Sequence, residues 1–440
     1  MLYKLSDVAA YISIKINTND IDLDEYISTE NMLPDKGGIV AAASLPSTPK
    51  TNSFVAGDVL FSNIRTYFRK VWFAKFDGGV SNDVLVFRTI SADMLYNKYL
   101  YYVLSNEAFI QHTVTTAKGT KMPRGDKGAI MNYEFKLPPP ETQQKIAHIL
   151  SALDDKIELN RKMNQTLEEM AQALFKSWFV DFDPVHAKMG CANDEELEAA
   201  ARELGISKEV LELFPSKFEE SELGMIPKGW EVVNLSEHVK VIKGKSYKSS
   251  ELQESKTSLV TLKSFLRGGG YRTDGLKPYT GSYKAEQVVM LGEMVMAYTD
   301  VTQAADVIGK PAIVLDDAEV DVFVASLDVG IVRTTTDAVN KMFLYQLFQT
   351  PSFQGYILGH TSGTTVLHLS KSWLDNFVTM FPADELMQRF GNITQPLFDR
   401  FNENTKQIRT LQKTRDTLLP KLLSGELDVS ELHIGTIDDE

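Results

Sequence analysis

The sequence is poor in cysteine, with Cys191 alone among 440 residues. A single cysteine excludes a disulfide framework and any zinc site built from several cysteines, and it is typical of a reducing compartment. No apolar run approaches the ~20 residues that a membrane-spanning helix needs. The N-terminal segment contains Lys4, Asp7 and Lys15 where a secretory signal would have an apolar core. These absences predict a cytoplasmic protein that does not enter a membrane.

The sequence also lacks recognisable catalytic motifs. Lys243-Gly-Lys-Ser resembles the end of a phosphate-binding loop, but Val239 occupies the position of the required upstream glycine. No G-x-G-x-x-G motif follows a predicted strand and opens a helix, so no nucleotide or methyl-donor site is evident. The seven histidines do not show metal-ligand spacing. We therefore expect no catalytic site, no metal site and no cofactor site in this chain.

The net charge is −13, which at first argues against nucleic acid as a partner. The acidic excess is concentrated in residues 183–229, with 5 basic and 11 acidic side chains, and in residues 380–440, with 7 and 11. Residues 240–277 instead contain nine Lys or Arg side chains against three acidic ones. Because phosphate binding depends on the field within a Debye length of about 8 Å, distant acidic segments do not exclude it.

An internal repeat divides the chain into two similar parts. Phe109 and Gly119–Thr120 recur 244 residues later as Phe353 and Gly363–Thr364. Further upstream the match continues with small shifts, as expected where loops vary in length and rigid elements do not. The period is far too long for a solenoid. The sequence therefore predicts a duplicated module, in which a globular block precedes a long helix.

Each module ends in a helix with a heptad pattern. Apolar side chains in residues 146–178 and 390–422 alternate at spacings of four and three, which is typical of a coiled-coil seam. A buried asparagine that meets a polar partner fixes the register of such a pair. Antiparallel pairing sets Asn164 opposite Asn404 and parallel pairing sets Asn160 opposite it, so the asparagines leave the direction open. The predicted seam residues are Leu153, Ile157, Asn160, Asn164, Leu167, Leu397, Phe401, Asn404, Ile408 and Leu411.

The globular blocks have the pattern of mixed α and β structure. Gly78–Gly79 and Gly268–Gly269–Gly270 predict turns or loop tips. Pro420 lacks an amide hydrogen and is expected to kink or end the second long helix near that residue. Short apolar runs predict strands at residues 58–64, 83–87, 293–298 and 311–315.

Five segments carry a resemblance to a known family. They are Leu137-Pro-Pro-Pro-Glu-Thr-Gln-Gln-Lys-Ile-Ala, Leu150 to Asn160 (LSALDDKIELN), Phe175-Lys-Ser-Trp-Phe-Val-Asp-Phe-Asp-Pro, Leu223-Gly-Met-Ile-Pro-Lys-Gly-Trp and Leu418-Leu-Pro-Lys-Leu-Leu-Ser-Gly-Glu-Leu. Together with the two modules, they make nearly the whole chain resemble the specificity subunit of type I restriction-modification systems.

The resemblance implies an α+β fold with two similar mixed α/β target-recognition domains. Two long helices would join these domains and pair as an antiparallel coiled coil. The predicted segments follow in chain order. They are a first target-recognition domain (residues 1–140), a central spacer helix (141–182), an acidic linker insert (183–229), a second target-recognition domain (230–380), a C-terminal spacer helix (381–423) and an acidic tail (424–440).

In that family each target-recognition domain reads one half of a split DNA sequence and the helices set the spacing. A helix over residues 146–178 would span ~50 Å at 1.5 Å per residue, or about 15 base pairs. The implied partners are double-stranded DNA, DNA adenine methyltransferase subunits and restriction and translocase subunits. S-adenosylmethionine, ATP and Mg²⁺ would belong to those partners, and this chain would be no enzyme by itself.

Phosphate contacts are expected to position the two blocks on DNA, while polar side chains at base edges specify the sequence. The two glycine-threonine pairs are expected to let the backbone approach the duplex. The candidates in the first block are Arg65, Arg69, Lys118, Gly119, Thr120, Lys121, Arg124 and Lys127. The candidates in the second block are Lys243, Lys245, Lys248, Arg267, Arg272, Gly363 and Thr364.

Two other classes of function stay open. A coiled-coil scaffold whose globular heads bind protein would explain the heptads, but it would not need basic loops in both blocks. An enzyme with an unrecognised site, such as a DNA methyltransferase or a nuclease, is disfavoured by the missing motifs. Ordinary solvated charges also account for basic residues, so each basic candidate has this simpler alternative.

Overall fold

The computed structural model describes residues 2–302 and 304–432. These residues form two compact units. The first unit contains the described residues up to 159 and from 407 onward, and the second contains residues 160–406. We call the globular part of the first unit, residues 2–136, the first head, and residues 231–381 the second head. Residues 433–440 of the predicted acidic tail lie outside the described part of the chain.

The first head alternates short strands with short helices and leads into a long helix, α5. Its strands are β1 (Leu2–Lys4), β2 (Ala9–Ile12), β3 (Lys15–Asn17), β4 (Tyr26–Ile27), β5 (Lys50–Phe54), β6 (Val59–Ser62), β7 (Val71–Phe73), β8 (Gly78–Val80), β9 (Val84–Thr89) and β10 (Glu134–Lys136). Its helices are α1 (Leu5–Val8), α2 (Asn97–Ser105), α3 (Glu107–Thr115) and α4 (Lys127–Met131), followed by α5 (Pro140–Phe179).

Three helices and a hairpin precede the second head, and a second long helix, α13, follows it. The helices are α6 (Asp183–Met189), α7 (Asp194–Glu203), α8 (Lys208–Glu212), α9 (Leu235–His238), α10 (Lys341–Gln349), α11 (Pro351–Gly359), α12 (Trp373–Asn376) and α13 (Asp384–Ser424). The strands are β11 (Phe218–Ser221), β12 (Gly224–Pro227), β13 (Glu231–Asn234), β14 (Val239–Lys243), β15 (Thr257–Val260), β16 (Lys277–Pro278), β17 (Val288–Val289), β18 (Met294–Ala297), β19 (Thr299–Asp300), β20 (Pro311–Ile313), β21 (Val322–Ala325), β22 (Val329–Thr334), β23 (Thr361–Ser362), β24 (Leu367–Leu369) and β25 (Val378–Phe381).

The two heads share their sheet topology. One sheet has the strand order β2-β9-β6-β7 in the first head and β14-β22-β18-β20 in the second, and the four strands correspond one to one. A further four-stranded sheet in each head has one parallel and two antiparallel pairs. The duplicated module and the α+β class predicted from the sequence are confirmed.

A partly buried ion pair is duplicated with the sheets. In the first head the Arg88 guanidinium donates to both carboxylate oxygens of Asp58 at 2.7 Å. In the second head Arg333 Nε donates to Glu293 Oε1, also at 2.7 Å. Each pair joins the ends of two neighbouring strands, so these arginines have a structural role that the repeat in the sequence preserves.

Each head has its own apolar core. Phe61 and Phe109 are fully buried in the first core, and Phe353 is fully buried in the second. Burial of each such side chain stabilises the fold by about 1.5–3 kcal/mol. The first core also includes Leu419, Leu422 and Val429 from the C-terminal part of the chain. Described residues from both ends of the sequence therefore complete the first unit.

The two long helices pair in opposite directions. In the first unit Arg415 of α13 donates to Asp154 of α5 at 2.7 Å. In the second unit Asn404 Nδ2 of α13 donates to Asn164 Oδ1 of α5 at 3.0 Å. The later residue of α5 meets the earlier residue of α13, so the pairing is antiparallel. The antiparallel coiled coil that the family resemblance implied is confirmed.

The prediction of a turn at Gly78–Gly79 is wrong, because these residues form the buried strand β8. A Cβ atom on Gly78 would lie 2.2 Å from the Glu25 carbonyl oxygen, and one on Gly79 would lie 2.4 Å from the Ile21 side chain. Glycine is needed here for close backbone approach inside a sheet rather than for a turn.

Pro420 does not end the second long helix at its own position. The helix α13 continues to Ser424, about one turn further. Proline removes one amide donor, and near a helix end the loss of one hydrogen bond is tolerated.

Candidate nucleic-acid interface

Three segments meet at one end of the first head. We name them by the elements that they follow: the β4 hairpin (residues 32–39), the β6 loop (64–70) and the α3 hairpin (118–124). Backbone hydrogen bonds join the β6 loop to both hairpins. This end of the head contains most of the candidate residues of the first block.

The α3 hairpin lies against the β6 loop. Lys118 and Arg124 exchange two backbone hydrogen bonds of 2.8 and 2.9 Å, and the Arg65 N–H donates to the Pro123 carbonyl at 2.8 Å. Gly119 has φ of 95°, a conformation that favours glycine, in the turn of this hairpin. The structure therefore brings together the candidates Arg65, Lys118, Gly119, Thr120, Lys121 and Arg124.

The β6 loop has an unusual backbone. Arg65 and Arg69 have φ of 49° and 53°, in the left-handed region that non-glycine residues rarely occupy. Asp35 and Lys36 of the β4 hairpin have φ of 53° and 59°, and their N–H groups donate to the carbonyls of Phe68 and Arg69 at 2.9 and 3.0 Å. Such conformations cost about 1–3 kcal/mol each and persist only where surrounding contacts fix them.

Acidic side chains accompany several of the candidate cations. Arg69 contacts Asp35 at 3.1 Å and Glu107 at 3.0 Å. Arg124 contacts Asp83 at 2.9 Å, with more than half of its side chain exposed. These acids are remote in sequence, so the fold lowers the net positive charge of this surface below what the basic residues alone indicate.

Lys118 and Lys127 also have partners. Lys118 pairs with Asp126, and its hydrogen bond lowers the pKa of that carboxyl below the ordinary value. Asp126 also accepts from the Ala129 N–H at 3.0 Å and so caps α4. The Lys127 ammonium lies 4.4 Å from the centre of the Tyr11 ring, a cation–π contact. The Lys127 side chain therefore contacts Tyr11 within the first head.

Arg65 and Lys121 differ from these cations. Within residues 2–302 and 304–432, neither side chain has an ion pair with an acidic side chain. Lys121 is exposed at the tip of the α3 hairpin, and Arg65 is half-buried in the β6 loop. These two side chains are therefore the best placed of the first-block candidates to bind an anion.

Sequence reasoning missed an aromatic pair between the two arginines of the β6 loop. Tyr67 and Phe68 are 48% and 40% exposed, and their ring centres are 4.8 Å apart. Met122, at the tip of the α3 hairpin, is 53% exposed. The signal available in the sequence was the run Arg65-Thr-Tyr-Phe-Arg, in which two adjacent aromatic residues lie between two cations.

The second head holds equivalent segments in the same register. We name them the β18 loop (residues 298–308) and the α11 hairpin (361–369). Ser362 pairs with His368 in the second head as Lys118 pairs with Arg124 in the first. Thr299 also pairs with His368, as Ile64 pairs with Arg124. The backbone framework of the two sites is therefore the same.

The chemistry of the second site is different. Asp300 occupies the place of Arg65 and is buried. Burial would raise its pKa, but backbone N–H donors at Thr302, Val307 and Ile308 hold the pKa below the ordinary value. The α11 hairpin presents Gly363 and Thr364 but no lysine or arginine.

Contacts place the basic candidates of the second block in two groups. Lys243 and Lys248 are exposed beside Lys245, whose backbone N–H donates to Ala325 O at 2.7 Å. Arg267 lies in the β15 hairpin (residues 265–271), 3.7 Å from Asp306 of the β18 loop.

Arg272 follows the β15 hairpin and donates from Nε to Asp274 Oδ1 at 2.7 Å. The exposed Arg267 is therefore the candidate cation that contacts the β18 loop.

The seam candidates of the coiled coil are all buried or half-buried. In the second unit Asn164 accepts from Asn404 and donates from Nδ2 to Thr405 Oγ1 at 3.1 Å. Thr405 in turn donates to the Phe401 carbonyl at 2.8 Å. This polar layer joins the two amides across the seam, and its geometry fixes one register.

The described residues offer neither a candidate metal site nor a membrane-spanning helix. Among residues 2–302 and 304–432, His, Cys, Asp and Glu side chains do not form a group of three that could hold a metal ion. In the same part of the chain, every helix is too short or too polar to cross a membrane.

Comparisons with known proteins agree with this architecture. Residues 3–169 match the family model described as type I restriction modification DNA specificity domain. The HindI specificity subunit of Haemophilus influenzae is 27% identical over 472 residues, covering 97% of this chain and 99% of that protein. The MjaIX specificity subunit of Methanocaldococcus jannaschii is 29% identical over 355 residues, covering 78% and 72%.

A solved structure supports the fold. The crystal structure of a type I restriction-modification S subunit from M. genitalium aligns with a TM-score of 0.54 at 15% identity, covering 96% of each chain. Duplicated heads and antiparallel long helices thus define the fold. Over nearly its whole length the chain is similar to the specificity subunits of type I restriction-modification systems.

Proposed function

We propose that the chain recognises double-stranded DNA and that each head reads one half of a bipartite target. One observation carries this proposal: both heads hold a loop and a hairpin in the same backbone register, with different side chains. A shared framework with different side chains suits two surfaces that read different base sequences.

The ion pairs in the first head are compatible with phosphate binding. Lys118 and Arg124 remain largely exposed in their pairs with Asp126 and Asp83. Exposed pairs of this kind contribute only about 0–1 kcal/mol. A DNA phosphate can therefore replace the carboxylate, while Arg65 and Lys121 contact phosphates or base edges directly.

The second head would rely more on neutral donors. Thr364 and His368 of the α11 hairpin offer hydroxyl and imidazole groups that can contact base edges. Lys243, Lys248 and Arg267 would supply phosphate contacts around them. The two half-sites should therefore differ in how strongly their recognition depends on salt.

The long helices are proposed to set the spacing of the half-sites and to dock DNA adenine methyltransferase subunits, which restriction and translocase subunits join. S-adenosylmethionine, ATP and Mg²⁺ would be held by those partners, in the cytoplasm. The proposed target-recognition domains are residues 1–140 and 230–380, and the proposed spacer helices are residues 141–182 and 381–423, with a linker at 183–229 and a tail at 424–440.

A head exchange tests this function. Residues 1–136 are replaced with the matching residues of a relative, and the chain is co-expressed with its methyltransferase subunits. Sequencing then maps the methylated adenines in the host genome. We expect one half of the methylated sequence to change and the other half to remain. Changes in both halves would contradict the assignment of one half-site to each head.

A coiled-coil scaffold with protein-binding heads predicts a different outcome. The purified chain, alone and with the methyltransferase subunits, is mixed with random duplex DNA and examined by electrophoretic mobility. We expect a salt-dependent shift at least in the complex. Absence of binding in both conditions would favour the scaffold.

A further inference from the structure

The aromatic pair of the β6 loop is exposed at the surface that the proposed function assigns to DNA. Tyr67 and Phe68 contact each other, and the Lys70 ammonium lies 5.9 Å from the centre of the Phe68 ring. Large apolar side chains that remain clustered at a surface mark a binding site more often than a solvated face. Met122 extends this apolar surface from the neighbouring hairpin.

The backbone holds these rings outward. The Phe68 carbonyl accepts from the Asp35 N–H at 2.9 Å, and the Phe68 N–H donates to the Arg65 carbonyl at 2.9 Å. Arg69, directly after the pair, is fixed by its ion pairs with Asp35 and Glu107. These contacts fix the backbone that carries the two rings, so the loop does not need to be ordered when a partner binds.

The charges around the rings indicate what kind of partner fits. Arg65 and Lys121 flank the apolar surface without carboxylate partners among the described residues, and exposed Lys118 and Arg124 lie beside them. A DNA groove has the complementary pattern, since anionic phosphates border an interior of base edges and thymine methyl groups. An apolar protein surface would not match the cations at the rim.

The equivalent position in the second head lacks this feature. There buried Asp300 occupies the place of Arg65, and the neighbouring Val301, a small aliphatic residue, is 68% exposed. The rings are thus a property of one head and not of the shared framework, as expected of residues that determine sequence preference.

We infer that Tyr67 and Phe68 enter a groove of the target duplex and contact the bases of the half-site read by the first head. This inference rests on the proposed function. Apolar side chains in a groove discriminate by contact with thymine methyl groups and by unstacking base steps, which depends on sequence. The cations at the rim position the rings on the backbone.

The test uses the complex of the full chain with its methyltransferase subunits. The variant Tyr67→Ala with Phe68→Ala is compared with the parent, and Tyr283→Ala, an exposed aromatic of the second head, serves as the matched control. A second variant, Tyr67→Leu with Phe68→Leu, keeps apolar bulk. Affinity for target DNA is measured across a salt series, and methylated sites are mapped by sequencing.

We expect the alanine variant to lose affinity by about tenfold or more, with an unchanged salt slope because no phosphate contact is removed. Its methylated sequence should relax in one half-site only, and the leucine variant should recover part of the loss. The control should behave like the parent. Melting temperatures of all variants should match, since the rings are exposed.

Three results separate the possible failures. If affinity and both half-sites match the parent, the rings do not contact DNA and the inference is overturned, while the proposed function stands. If the alanine variant no longer co-purifies with the methyltransferase subunits, the rings bind protein and the inference is again overturned. If the parent complex itself neither binds nor methylates DNA, the proposed function fails and the inference fails with it.

Discussion

The two heads share a backbone framework, but in one ion pair between equivalent segments the acid and the cation have exchanged places. In the first head Asp35 on the β4 hairpin pairs with Arg69 on the β6 loop. In the second head the hairpin supplies the cation, Arg267, and the loop supplies the acid, Asp306. The ion pair between the hairpin and the loop is therefore present in both heads, with the two charges on opposite segments. The comparison shows that the fold constrains where residues meet, while the residues themselves are free to diverge toward different targets.

The coiled coil shows a similar contrast between the two units. In the first unit Arg415 is almost fully buried and contacts Asp154 at 2.7 Å and Asp416 at 3.0 Å. Tyr102 donates to Asp154 at 2.9 Å, and Lys36 of the β4 hairpin pairs with Asp416 at 2.8 Å. A buried charge network therefore joins the first head to the helices.

The second unit has apolar residues at the equivalent positions. Phe398 replaces Asp154, and Ala171 replaces Arg415. Phe398 and Ala171 line a pocket in the second unit together with Leu167 and Phe401. Gln346, which replaces Tyr102, lines the same pocket. The first unit thus has a network of ion pairs here, whereas the second has mainly apolar side chains together with Glu168 and Gln346.

The largest effect should come from breaking the charge network. Arg415→Ala removes a buried guanidinium and leaves the half-buried Asp154 without its cation, and we expect a loss of about 3 kcal/mol in the free energy of unfolding. Denaturant unfolding followed by circular dichroism measures it. The paired change Asp154→Leu with Arg415→Leu makes the first unit resemble the second and should cost much less. A loss below about 1 kcal/mol for Arg415→Ala would show that the network is not needed for stability.

A smaller effect should follow from adding a side chain to β8 of the first head. Val324 occupies the position in the second head that is equivalent to Gly79. Gly79→Ala places a methyl group against Ile21, so we expect a loss of about 1–3 kcal/mol in the same unfolding measurement. The control Gly355→Ala, in a helix with open space around the new methyl group, should not destabilise. Equal stability of the two variants would mean that β8 can shift to accept a side chain.

The smallest effect concerns pH, and its sign should differ between the units. Burial raises the pKa of Glu168 in the second unit, although a hydrogen bond with Tyr345 opposes the shift. The folded state then binds more protons than the unfolded state, so stability falls as pH rises above the ordinary value of 4.5. Glu168→Gln should flatten this part of a plot of melting temperature against pH. An unchanged slope would contradict the assignment.

The first unit should respond in the opposite direction. Burial would raise the pKa of Asp416, but Lys36 and Arg415 lower it below the ordinary value of 3.8. The unfolded state then binds more protons, and stability is lost as pH falls through that value. Asp416→Asn should weaken this loss in acid, measured by the same plot, and should leave the slope above pH 4.5 unchanged.

The pairing of the helices could be predicted because its signals are local or periodic. Heptads locate the seam, and the asparagines narrow the register to two choices, one of which sets Asn164 against Asn404 as the structure does. The duplicated module was also predictable, since it depends on recurring residues such as Phe109 and Phe353.

The candidate interface was predictable only in part. The basic residues and the glycine-threonine pairs can be identified in the sequence, but their neutralisation by Asp83 and Glu107 depends on contacts between distant segments. The exposure of Tyr67 and Phe68 depends on hydrogen bonds from the β4 hairpin, about thirty residues away. Gly78 was misjudged for the same reason, since only the approach of Glu25 shows that a strand and not a turn requires it.

The division of the chain has a consequence for its synthesis on the ribosome. The first core includes Leu419, Leu422 and Val429, which are translated after the second unit, whereas the second unit is continuous from residue 160 to residue 406. Domains usually mature in the order of translation, but here the unit that is begun first is completed after the second. A product that stalls before Leu419 would lack part of the core that contains Ile146 and Leu150, and it would be a substrate for chaperones and proteases.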